Sequence, residues 1–198
     1  MLTVVDGQGG NVVDVDESSE NTLNGKIVFR GSRSNISIGP NCISSSLYIE
    51  AGDGCSVRIG SHCNLGGLFI FVARGGCVEV DHHCSFNGSP RLLVHEKACI
   101  ALGKGCLLAG GVDVTVSDMH SIVDIETGER INHARDVTVG EWVWIGQRAT
   151  VLKGTRIGDG TIVGASAVVS GHYPGNCVIT GVPARVVREG VTWRFDLI

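Results

Sequence analysis

The chain has 198 residues, 29 of them glycine, with 43% hydrophobic and only 18% charged residues. That content, without a collagen repeat, excludes disorder and fits a β-rich, turn-dense chain with one domain's interior. A net charge of −4 argues against nucleic-acid binding, and no apolar run approaches the roughly 18 residues that span a membrane. The N-terminus lacks the basic and apolar segments of an export signal, so a soluble, cytoplasmic protein is expected.

Residues 1–26 hold the alternating runs "LTVV" and "NVVDVD" around the turn-prone "DGQGG", with acids but no Lys or Arg before Lys26. They predict a hairpin or irregular β cap that closes one end of the fold. From residue 27 a pattern recurs: "NISIGPNCIS" from Asn35, "CSVRIGSHCNLGG" from Cys55, "CVEVDHHCSFNG" from Cys77 and "CIALGKGCLLAGG" from Cys99. Cys42, Cys63, Cys84 and Cys106 fall 21, 21 and 22 residues apart, and Cys55, Cys77 and Cys99 fall 22 apart. Residues one coil apart stack, so these spacings predict two ladders of packed, reduced thiols, with Cys177 outside both.

The segment "SDMHSIVDIETGERINHARD", residues 117–136, is polar and out of register, and predicts an excursion from the regular coil. Beyond it the count becomes strict. Val139, Ile145, Val151, Ile157, Val163 and Val169 recur every six residues, mostly followed by Gly. Four places after each of the first five stands a small or β-branched residue: Val143, Ala149, Thr155, Thr161 and Ala167. Short strands joined by tight bends explain this, with the aliphatic inward and the small residue filling a narrow interior. Three strands make a triangular coil of about 18 residues, and coils stack about 4.8 Å apart. The expectation is an all-β parallel solenoid over 27–175, with a strand and tail over 176–198. The earlier steps exceed eighteen, which predicts a small outward loop in each coil.

These repeats, with His120 before the excursion, "VGEWVWIG" at 139–146 and "GVPARV" at 181–186, resemble the hexapeptide-repeat acyltransferases, nearest the sugar and capsular-polysaccharide O-acetyltransferases. The resemblance implies a left-handed parallel β-helix, against the general preference for right-handed crossovers. It also implies a homotrimer with sites between subunits, acetyl-CoA as donor, no required metal, and a sugar hydroxyl as acceptor, in a polysaccharide or its precursor.

An alcohol attacks a thioester poorly unless a base removes its proton, and imidazole is suited to that work. The resemblance makes His120 the general base, oriented by Asp118, Asp124 or a backbone carbonyl. Trp144 matches an aromatic near the reacting centre whose N–H can donate, while Trp142 covers apolar surface. Gly146, Gln147, Ala165 and Ser170 match the cofactor groove, with the Ala165 amide a candidate for the developing oxyanion. Lys153, Arg185 and Arg188 are candidates for the phosphate end. Asn87 and Asp118 are candidates for acceptor contact.

Three alternatives stay open. One is N-acetyl transfer to a nucleotide-linked amino sugar. Another is a solenoid carbonic-anhydrase-like site built from His62, His82 and His83 around a metal. The last is a non-catalytic scaffold.

Overall fold

The computed structural model describes all 198 residues as a three-sided parallel β-solenoid of about eight coils. The first face stacks eight strands from Leu2–Asp6 to Val168–Val169, and the second stacks eight from Val12–Val15 to His172–Tyr173. The third has six, from Ser85–Phe86 to Ala184–Glu189, and bridges through Ile43, Asn64 and Ser85 extend it downward. All strand pairing is parallel except the final hairpin, Cys177–Gly181 with Ala184–Glu189, and a single antiparallel bridge joins Val123 to Arg130 in the excursion. No helix is long and apolar enough to cross a membrane.

The core is the six-residue pattern made physical. Val139, Ile145, Val151, Ile157, Val163 and Val169 are all at most 3% exposed, as are Val143, Ala149, Thr155, Thr161 and Ala167. Burying each aliphatic contributes about 1.5–3 kcal/mol. The bend from second to third face passes each time through a left-handed residue: Asn41, His62, His83, Gly105, Trp142, Gly160 and Asn176, with φ between 52 and 71°. His62 and His83 are therefore a turn ladder, their rings stacked 5.0 Å apart. His82 turns its Nδ1 to Ser61 instead.

Five expectations are corrected. Residues 1–26 are no hairpin: Leu2–Asp6 pairs in parallel with the strand at 23–29, and Val12–Val15 with that at 35–38, so they wind as a first coil. The extra residues of the early coils form no outward loops. They lengthen two faces, whose strands run four residues (Arg91–Val94, Cys99–Leu102) where later ones run two (Thr150–Val151, Arg156–Ile157).

The cysteines divide differently as well. The register pairs Ser56, not Cys55, with Cys77, because the coil step there is one residue shorter than the cysteine spacing. A slip of one flips a side chain to the other side of the sheet. Cys55 is buried, while Cys77 and Cys99 point outward and form a disulfide rather than reduced thiols. Cys177 stands inside a ladder after all. Registers through Leu107, Trp144, Ile162 and Val178 place Cys106, Val143, Thr161 and Cys177 in one column.

Candidate active site

The excursion leaves the first face after Asp113–Thr115 and rejoins the second at Val137–Val139, so it stands on the edge between those faces. Side chains from three successive coils tie it down. Arg130 gives a two-pronged ion pair to Glu96 in the coil below, at 2.6 and 2.7 Å, and Ser117 donates to the same carboxylate. Arg130 and Ser117 hold the Glu96 carboxyl down at about 2. Lys153, in the coil above, reaches Asp118 and the carbonyl of Asn132, and its side chain is 11% exposed. Lys153 first, then Asn132, keep the Asp118 carboxyl below the usual carboxylate range.

Asn132, 8% exposed, is the centre of this knot. Its amide donates to Asp118 Oδ2 and to the His120 carbonyl, both at 2.8 Å, and its Oδ1 accepts from the Ile122 amide at 2.7 Å. Met119 takes a left-handed φ of 65°, rare for a residue with a side chain, and so turns His120 outward. The imidazole is exposed. Neither carboxylate suggested as its orienter is hydrogen-bonded to the ring: Asp118 Oδ2 accepts from Lys153 and Asn132, and Asp124 Oδ1 from the amides of Glu126 and Thr127. What holds His120 in this arrangement is its main chain, through the Asn132 amide. Glu96 and Asn132 carried no signal in sequence, because their roles depend on contacts 21 to 34 and 10 to 14 positions away.

The other candidates lie elsewhere on the prism. Trp144 opens a third-face strand, 39% exposed, with its indole N–H free of any acceptor in the chain. Trp142 is the bend residue beside it, its ring laid against Gly105, where a Cβ would lie 2.6 Å from the ring. Gly146, Gln147 and Ala165 stack on the edge between third and first faces, where Ser166 N–H donates to Gln147 O at 2.8 Å. The Ala165 amide donates to no group in the chain. Arg185 pairs across from Thr180 at that edge, and Arg188 faces Val178. Asn87 is exposed on the same edge, by a polar hollow of about 600 Å³ shared with Asn24 and Asn64. It is therefore not directly below His120: the width of the first face separates them. Ser170 follows the last first-face strand, on the His120 and Lys153 edge.

Beside the excursion, Lys97, Arg135, Arg156 and His172 line a second hollow, of about 430 Å³. None is in an ion pair, unlike Arg91 and Arg130, which hold Asp113 and Glu96.

Residues 136–171 match the family described as bacterial transferase hexapeptide (six repeats). Over those residues the chain is similar to the hexapeptide-repeat transferases. This hexapeptide chain is 34% identical over 107 residues to a polysialic acid O-acetyltransferase of Neisseria meningitidis, a match covering 54% of this chain and 50% of the relative. It thus spans about half the length of that curated relative. Two solved structures follow it nearly throughout. The polySia-specific acetyltransferase NeuO superposes with a TM-score of 0.89 at 25% identity, over 98% of this chain and 83% of that one. The polysialic acid O-acetyltransferase OatWY gives 0.83 at 28% identity, over 100% and 93%. The solenoid is accordingly a left-handed parallel β-helix.

Proposed function

We propose that this hexapeptide chain transfers the acetyl group of acetyl-CoA to a hydroxyl of an acidic polysaccharide, in the cytoplasm and as a homotrimer. The observation that carries the reading is the His120 imidazole, free of partners and held by the Asn132 knot on a scaffold shared with two polysialic acid acetyltransferases.

The sugar hydroxyl gives its proton to His120 as its oxygen attacks the thioester carbonyl. The tetrahedral oxyanion is met by preorganised donors, for which the free Ala165 amide and Trp144 N–H are the candidates. The C–S bond then breaks, and His120 returns the proton to the departing thiolate. Atoms and charges balance without a metal.

The trimer supplies what one chain lacks. His120 sits between the first and second faces, whereas Trp144, Gln147 and Ala165 sit on the third face or its far edge. Two copies set side by side bring one chain's His120 edge to another's Ala165 edge. Met119, Ile122, Val123, Ile125 and Ile131 of the excursion are all more than half exposed, an apolar surface suited to a neighbour. An acidic acceptor fits the hollow at the foot of the excursion, where Lys97, Arg135, Arg156 and His172 outnumber Asp136, and polysialic acid, named for both solved relatives, is a carboxylated polymer. Within this reading Arg185 and Arg188 remain the cofactor phosphate candidates, and Asn87 an acceptor contact from the neighbouring copy.

The test is acetyl-CoA turnover against carboxylated and neutral polysaccharides, with mass analysis of the product. Carboxylated polymers gain 42 Da per acetyl by replacement of a hydroxyl hydrogen (roughly one such gain per modified sugar). His120→Ala loses turnover, by about 10²–10⁴-fold, and still binds acetyl-CoA. Turnover confined to amino sugars, or undiminished in His120→Ala, would sink the proposal.

A further inference from the structure

Residues beyond the last hairpin cross back over the third face, where no repeat in the sequence places them. The Val191 amide donates to Asn176 O at 3.0 Å, anchoring the segment. Trp193 then donates its Nε1–H to the Trp142 carbonyl at 2.6 Å. Its ring lies 6.1 Å from the Trp144 ring, inclined at 49°. Phe195 closes on the other side of Trp193, edge to face, with centroids 4.8 Å apart.

This arrangement matters because of what else surrounds Trp144. Along the third face its neighbours in register are Leu107 and Ile162, which support the ring from below and above but not from the side. A half-exposed indole on such a surface has several staggered orientations open to it. Trp193 stands as a bookend at that open side. Its own N–H is taken by the main chain, which fixes its plane, while the Trp144 N–H stays free for a ligand. One indole is anchored and the other is braced.

We infer that Trp193 is a positioning residue for acyl transfer: pinned to the Trp142 carbonyl, it holds the Trp144 ring so that its N–H points at the reacting acyl group. The inference rests on the acetyl-transfer reading, and it adds a residue outside the hexapeptide repeats and outside every motif of the resemblance. Trp193 touches neither donor nor acceptor in this role; it acts through Trp144.

The experiment compares the full-length wild type with Trp193→Phe and Trp193→Ala, using acetyl-CoA and the best carboxylated polymer. Two indoles this close couple their transitions, so near-ultraviolet circular dichroism gives a direct reading of the Trp144–Trp193 pair. Trp193→Phe keeps a ring but loses the carbonyl anchor. It is expected to lose the coupled signal and to lower kcat about tenfold, with KM for acetyl-CoA within about twofold of wild type. Trp193→Ala falls further. Where Trp193→Ala melts much earlier than wild type, Trp193→Phe alone decides. Full kcat with the coupled signal gone overturns the inference, and so does a loss carried wholly by KM for acetyl-CoA, which would put Trp193 in the cofactor groove. A wild type inactive toward every acceptor defeats acetyl transfer itself, whereas an active wild type with fully active variants defeats only the role of Trp193.

Discussion

Asp118 and Lys153, 35 positions apart in sequence, are joined by an ion pair that ties the excursion to the coil above it. The lysine head also takes the Asn132 carbonyl at 2.8 Å and is nearly buried, so it is a fastening rather than a free cation. Lys153→Met therefore leaves an unpaired Asp118 and a loosened His120 turn. The expected result is a fall of about tenfold or more in kcat, with acetyl-CoA affinity unchanged. Calorimetry checks this. If affinity for acetyl-CoA drops while that for the form lacking the 3′-phosphate holds, Lys153 grips phosphate as the family resemblance implies.

The same knot sets a pH dependence. Glu96, paired with Arg130 and Ser117, ionises at about 2 instead of its usual 4.5, and Asp118 is shifted in the same direction. A carboxyl whose value is depressed in the folded state stabilises that state above its ordinary value and loses the contribution as pH falls toward the depressed one. The excursion should thus stay docked at neutral pH and come loose between about 4.5 and about 2. Amide resonances of Ile122 and Ile131, both hydrogen-bonded within the excursion, report it. Glu96→Gln should shift those resonances toward their acid positions already at pH 7. Signals that hold still down to about 2 would remove the electrostatic tie.

The inner cysteine ladder makes a chemical prediction. Each thiol donates to a carbonyl of the next coil: Cys63 to Asp81, Cys84 to Gly103 and Cys106 to Gly140, at 3.1 to 3.2 Å. The contact with Cys106 and burial push the Cys84 thiol up to about 12. Such thiols are almost wholly protonated at neutral pH and closed to reagents. A soluble disulfide reagent should find no reactive cysteine in the native protein, two after mild reduction (Cys77 and Cys99), and eight when the reduced protein is unfolded. Six reacting natively would mean that the ladder opens.

The period of six is legible because it is local. Each aliphatic, each glycine and each small residue answers to neighbours a few positions away, so the solenoid and its inward residues from Val139 to Val169 follow from sequence. The earlier coils were misread where the period lengthens, since extra residues in a loop or a longer strand leave the same spacing. Cys55 shows the limit: its register depends on pairing across coils, and a difference of one residue inverts it. The site was legible only by resemblance. His120 stands out beside an excursion, but Glu96, Asn132 and Trp193 have roles set by contacts 34, 12 and 51 positions away.

His120 and Trp144 belong to different parts of the prism, and this yields the sharpest prediction. If one catalytic centre needs both, each centre draws them from two copies, and a single chain cannot complete it. His120→Ala and Trp144→Ala proteins should each be nearly inactive alone. Co-expressed, they assemble mixed trimers in which some centres pair an intact imidazole from one copy with an intact indole from another. Whichever way a mixed trimer is composed, two copies of one variant and one of the other, about one centre in three is complete in both respects. Activity recovered to about a third of wild type, after purification through two different tags has removed the homotrimers, is the expected outcome. Mixed trimers no more active than either parent would mean that His120 and Trp144 serve from the same chain, or that Trp144 is not needed at the centre. The second case is separable, because Trp144→Ala alone would then be active.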